Sequence, residues 1–302
     1  MRESLHSYMK VGIVHFMAYP QTPTGEGPIV ETVRRIAEDD FFSAIEITTV
    51  KDPKVREHVA RILEESHLVV GYGAQPILLT QKLNLNAFEQ VERANAVQAV
   101  KEAVDEAVAL GAEALAVLSG PDPGERRGEA MQLLVQSLTE ICTYARSKGN
   151  IKVILETFDQ KVDKRCLIGP HTDAVQVAAA VRKVDPGFGL MLDLSHLPLQ
   201  GETSREALQV AKDHLAHIHI GNCVKKEGHP AYGDQHPRFG IEGGENDVPQ
   251  VVEFLRELFH IGYLGEGRRP IVAFEVKPLP GESSEMVIAG AKRTLVEAWS
   301  QV

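Results

Sequence analysis

Apolar and polar positions follow two periods along this chain, and the two periods take turns from end to end. Short apolar runs near 11–16, 43–48, 68–73, 112–118, 151–156, 188–193, 215–220 and 270–275 have the length of buried strands. Longer segments with helical spacing follow them, at 28–39, 53–65, 86–110, 128–148, 170–183, 203–213, 247–260 and 283–300. Strict alternation implies a parallel sheet with right-handed crossovers, and eight such units predict closure into an α/β, (β/α)8 TIM barrel. An open doubly wound sheet would carry a glycine-rich dinucleotide turn after its first strand. The chain reads His15-Phe16-Met17-Ala18-Tyr19-Pro20 there instead. No linker or shift of composition divides it, so residues 1–302 are expected to form one domain.

Capping signals support several boundaries. Asp52 ahead of Pro53 is an N-cap followed by proline at the first helical position. Gly111, Gly149 and Gly262 are expected to end helices in the left-handed conformation. The segment from Gly221 to Asp247 has no periodicity and contains Pro230, Pro237, His229 and His236. Aperiodic stretches of this length inside compact domains tend to serve function.

Composition removes several alternatives. A chain of 302 residues with 43% hydrophobic content has ample material for one core. Its 42 acidic and 32 basic residues leave a net charge of −10, which repels phosphate backbones and argues against nucleic acid as a partner. Cys142, Cys166 and Cys223 have no paired spacing, so a disulfide framework is not expected and a reducing compartment fits better. With no signal-peptide stretch after Met1 and no apolar run of membrane-spanning length, the reading is a cytoplasmic protein without a membrane partner.

Chemistry gathers in the second half. Four apolar runs end in a metal-binding side chain: Ile151 to Glu156, Phe188 to Asp193, Leu215 to His219 and Ile271 to Glu275. A single acidic residue at a strand end is as often a helix cap or a surface charge. In a closed barrel all four would point at one spot, and three carboxylates with one imidazole suit a divalent cation. With a ketose held there, one glutamate could remove a proton from the carbon beside the carbonyl and the other return one, through an ene-diolate. His196 lies three residues past Asp193, placed to bind substrate or a second metal. His217 faces the same way as His219 but one layer lower, an interior hydrogen-bonded residue rather than a ligand. His15 and Glu46 are open between lining the pocket and ordinary rim polarity. His67 and His171 read as solvated helix-entry residues, and Gly124 to Gly128 as a hydrated or phosphate-facing loop.

The order Glu156, Asp193 with His196, His219, Glu275 resembles the xylose isomerase-like superfamily of barrels, and within it the sugar or sugar-phosphate isomerases and epimerases that include ketose 3-epimerases of the tagatose type. The resemblance covers the second half in order and register and the first half only as generic barrel. It implies one divalent cation (Mn2+, Mg2+, Co2+ or Zn2+) held by Glu156, Asp193, His219 and Glu275, with Glu156 and Glu275 as the acid–base pair. It implies that His196 contacts substrate, as does Lys225, where those enzymes often carry arginine with its planar fork. Arg238 opens a stretch, Arg238 to Asp247, that resembles the family's glycine-rich segment; His236 and Arg238 are further expected substrate contacts. The partner is then a small sugar or sugar-derived molecule, and a homo-oligomer is in keeping with the family. A metal-dependent lyase or dehydratase on a keto sugar or cyclitol is the alternative on the same scaffold. Asp234-Gln235-His236 with His196 also resembles the third metal site of abasic-site DNA endonucleases in this superfamily, so His196, Asp234 and His236 are candidates for a second cation. Those nucleases take further histidines from the third and fourth strand regions, where this chain has Gly73-Ala74-Gln75 and Ser119-Gly120.

Overall fold

The computed structural model describes residues 3–302. Eight strands form one parallel sheet: β1 (Lys10–Ile13), β2 (Ala44–Ile47), β3 (Val69–Gly73), β4 (Ala114–Leu118), β5 (Lys152–Glu156), β6 (Gly189–Asp193), β7 (Leu215–Gly221) and β8 (Ile271–Glu275). They are ordered β1-β8-β7-β6-β5-β4-β3-β2, and a single bridge from Val14 to Glu46 joins the two ends. The sheet is thereby a nearly closed (β/α)8 barrel. The helices are α1 (His15–Ala18), α2 (Ile29–Ala37), α3 (Pro53–Ser66), α4 (Gln75–Thr80), α5 (Gln90–Ala109), α6 (Arg127–Gly149), α7 (His171–Val181), α8 (Leu197–Gln200), α9 (Ser204–Ala211), α10 (Val248–His260) and α11 (Ser284–Gln301).

Strand residues divide by parity, because successive side chains point to opposite faces. One set, including Val11, Ile13, Ile45, Val70, Leu115, Val153, Leu190, Ile218 and Phe274, packs under the helices in one continuous apolar layer. The other set fills the barrel, where Ala114, Ala116, Ile154 and Met191 pack as a small apolar cluster of their own. Toward the carboxyl-terminal end the interior is dominated by ionisable side chains, Glu46, Glu156, Asp193, His217, His219 and Glu275. β7 joins β6 with a shift between Leu190 and Met191 that skips Ala216, and this bulge sets Asp193 directly beside His219. Gly189 yields the room, since a Cβ there would lie 2.3 Å from that of Ala216.

All eight expected strands and their helices are present, with some boundaries moved. The first strand ends at Ile13 rather than reaching 16, and the chain turns at once into α1. The short helices α4 and α8 stand in segments without a long enough pattern to announce them. Gly149 is the last residue of α6, and Asn150 takes the left-handed C-cap at φ 56°. His67 is the left-handed C-cap of α3 rather than an entry residue. His171 does begin α7 but is fully buried, with Nδ1 2.7 Å from Glu202 Oε2. No helix among the described residues is long and apolar enough to cross a membrane.

Candidate metal centre

Glu156, Asp193, His219 and Glu275 meet at the carboxyl-terminal end of the barrel, and one ligand atom from each lies within 4.8 Å of all the others. His219 Nδ1 is the hub. It stands 2.7 Å from Glu275 Oε2, 3.8 Å from Glu156 Oε1 and 3.9 Å from Asp193 Oδ2. Gln75 Nε2 donates to Glu156 Oε2 at 2.7 Å, and the backbone N–H of Ser195 donates to Asp193 Oδ1 at 2.6 Å. The other oxygens, Glu156 Oε1 and Asp193 Oδ2, are buried without a hydrogen-bond partner. Buried carboxylate oxygens left unpaired are costly. Two of them aimed at one imidazole nitrogen and a third carboxylate fit a hard divalent cation, which these four residues could hold.

A second group adjoins the first. Asp234 Oδ1 lies 3.0 Å from His196 Nε2 and 2.8 Å from His236 Nε2, and its Oδ2 lies 3.0 Å from Lys164 Nζ. His196 Nδ1 donates to the Thr157 carbonyl at 2.7 Å, so Nε2 is the nitrogen turned to Asp234. His236 reaches Glu275 Oε1 at 3.4 Å and Asp193 Oδ2 at 3.7 Å from its two nitrogens, and so bridges the groups. It does so from a left-handed backbone, φ 49°, which a non-glycine residue adopts at some cost. Gly221 makes the approach possible, since a Cβ there would meet the Glu275 carbonyl oxygen at 2.5 Å and His236 Nδ1 at 3.2 Å.

These fields pull the carboxylates apart. Burial, with the charge of Glu275 beside it, raises the Glu156 carboxyl to about 8. Burial would raise Glu275 too, but His236 and His219 outweigh it and hold that carboxyl at about 2. Asp193 is raised, chiefly by burial. Burial also acts against charge on Asp234, yet His236, His196 and Lys164 keep it well below the carboxylate range. Burial lowers and Glu275 and Asp234 raise His236, which settles near 9.

A cavity of about 270 Å3 opens over the carboxylates. Its polar side includes Glu156, His219, Glu275, Asp234, His236, Lys164 and Lys277, and Phe16, Met17, Pro76 and Leu79 face them from α1 and α4. Of the residues expected from sequence, His236 and Asp234 line this cavity. His196 is fully buried and tilted against Phe158, 4.5 Å between centroids, behind the cavity wall. Lys225 and Arg238 are elsewhere: Lys225 is half exposed and paired with Glu245 at 3.2 Å, and Arg238 is half exposed and paired with Glu282 at 2.9 Å. His15 is buried against Thr32, out of the cavity. The loop at 124–128 is tied down, with Arg127 paired to Asp122 and Asp173 and Arg126 stacked on Phe88. Gln75 and Lys164 had no sequence signal; one starts a helix too short to show a period, the other lies in the aperiodic stretch after β5.

The family of xylose isomerase-like TIM barrels matches residues 33–285. Solved structures similar to the chain include a D-tagatose 3-epimerase-like protein at TM-score 0.72 and 20% identity, covering 97% of this chain and 99% of that one. An L-ribulose 3-epimerase matches at TM-score 0.71 and 16% identity, over 97% and 96%. A family 2 AP endonuclease from Brucella melitensis matches at TM-score 0.67 and 17% identity, over 95% and 99%. At such identities the likeness is one of fold. No curated protein matches the sequence significantly.

Proposed function

Because the chain belongs to the xylose isomerase-like TIM barrel family, we propose that it is a metal-dependent isomerase or epimerase of a carbohydrate-like α-hydroxy ketone. The observation that carries this reading is the convergence of Glu156, Asp193, His219 and Glu275, two of them with buried unpaired oxygens. A divalent cation bound there supplies Lewis-acid polarisation of a substrate carbonyl.

Glu156 and Glu275 have the further property that their environments push them in opposite directions, up to about 8 and down to about 2. These are the tendencies of the site without a cation; with one bound, both glutamates favour the ionised form and are ready to exchange a proton with substrate. In this reading one glutamate removes the proton beside the carbonyl and the other delivers one, through an ene-diolate of the substrate. His236, fixed by Asp234, is within reach of substrate oxygens in the cavity. His196 acts from behind the wall, through Asp234. Residues 1–302 act as one domain in this reading.

A second cation held by His196, Asp234 and His236 is disfavoured. Lys164 places its ammonium 3.0 Å from Asp234, the carboxylate that a second ion held by His196, Asp234 and His236 would need. Position 75 offers an amide already committed to Glu156, against a three-zinc nuclease centre.

Solvent deuterium uptake tests the proposal. Metal-loaded protein in D2O should place deuterium on an intact ketose, keto acid or phosphate of either, and Glu156→Gln should lower the rate at least ~100-fold with the fold retained. Loss of water or of a ring substituent would assign the lyase reading instead. Cleavage of an abasic duplex in zinc would assign the nuclease.

A further inference from the structure

Glu46 sits inside the barrel, 4% exposed, at the strand seam where it bridges Val14. Its Oε1 lies 2.8 Å from His217 Nε2 and 2.9 Å from His219 Nε2, and its Oε2 lies 3.0 Å from the same His219 nitrogen. We propose that Glu46 is a positioning residue for the metal centre: one carboxylate on β2 grips both imidazoles of β7 by Nε2 and leaves His219 Nδ1 as the nitrogen offered to the cation. The inference rests on reading Glu156, Asp193, His219 and Glu275 as a cation site.

A carboxylate can only accept hydrogen bonds, so both imidazoles must present N–H to it. With no cation bound, Nδ1, the atom that faces Glu275, Glu156 and Asp193, donates to Glu275 Oε2 at 2.7 Å; a cation held there would take the place of that proton, while Nε2–H stays on Glu46 and the Nδ1 lone pair is the one offered. The negative charge of Glu46 behind the ring makes that lone pair a stronger donor and fixes the plane of the ring. His217, two residues earlier on the same face, shares Oε1 with His219 and keeps the carboxylate from swinging away. The barrel is built around this arrangement: Gly71 is the register partner of Glu46 on β3, and a Cβ there would stand 3.0 Å from Glu46 Cγ. A carboxylate that served stability alone would have its effect on the fold and none on metal affinity.

Titration of the whole protein with Co2+, followed by its visible absorption, separates these. Glu46→Gln keeps the volume and an acceptor oxygen but removes the charge, and it should weaken Co2+ binding about 10–100-fold. Cobalt affinity equal to wild type in Glu46→Gln would overturn the inference and leave the cation site standing. A wild type that takes up no Co2+ would remove the cation site and the inference together. A second measurement needs no variant: long-range 1H–15N correlation on Zn2+-loaded wild type should show His219 protonated at Nε2 and metallated at Nδ1. The reverse assignment overturns the inference.

Discussion

Lys225 and His236 occupy opposite situations, although the sequence presents both as substrate contacts. The Lys225 ammonium spends its charge on Glu245 in a half-exposed pair, whereas His236 is buried in the cavity wall between Asp234 and Glu275. Exposed ion pairs contribute little. Lys225→Gln should therefore leave KM for any accepted substrate unchanged, and His236→Ala should raise it; steady-state kinetics on both variants decides. His15 permits a prediction about acid stability. Its ring is fully buried, and burial lowers its basicity from 6.5 to about 3. The hydroxyl of Thr32 donates to the Pro28 carbonyl, so it receives its bond from His15 Nε2–H, 2.8 Å away. The unfolded chain binds a proton at this residue below about 6.5 and the folded chain does not. Stability is thus full above that pH and falls as pH drops toward 3, by at most about 1.4 kcal/mol per pH unit. In urea titrations at pH 4.5 and 7, His15→Gln should show a smaller loss than wild type by about 2–3 kcal/mol; an equal loss would count against it.

Among the elements, α3 shows how far local signals reach. Asp52 accepts from the N–H groups of Lys54 and Val55 ahead of Pro53, as the sequence leads one to expect. Asp52→Ala should cost about 1 kcal/mol in denaturant unfolding. At β3 the constraint comes from a neighbouring strand. Gly71→Ala would press its methyl on Glu46 at 3.0 Å, an overpacking expected to cost about 1–3 kcal/mol and to weaken divalent-cation binding at the same time. The eight strands were legible because each is an apolar run bounded by helical spacing. The short α4 and α8 were not, since 6 and 4 residues span too little of a period to be seen. Their consequence is functional, because α4 delivers Gln75 to Glu156.

At the scale of the whole molecule, the barrel brings together residues from four strands and one long loop that are up to 119 positions apart, from Glu156 to Glu275. A cation that bridges them binds the folded chain and not the unfolded one, so it should stabilise by about 2.7 kcal/mol at a concentration 100 times its Kd. Calorimetry with Mn2+ or Co2+ should show the rise in Tm for wild type and none for Asp193→Asn. The repeat of strand and helix, hence the barrel, and with it the strand-end positions of Glu156, Asp193, His219 and Glu275 can be read from the order of residues alone, because alternation in a parallel sheet is a local property of the chain. Which other groups stand beside them follows from how the folded barrel brings distant segments together. Glu46 reaches His219 across the barrel, Lys164 reaches Asp234 from another loop, and Lys225 turns away to Glu245. Those choices depend on the barrel's closure, on the bulge at Ala216 and on the path of an aperiodic loop, and no periodicity records them.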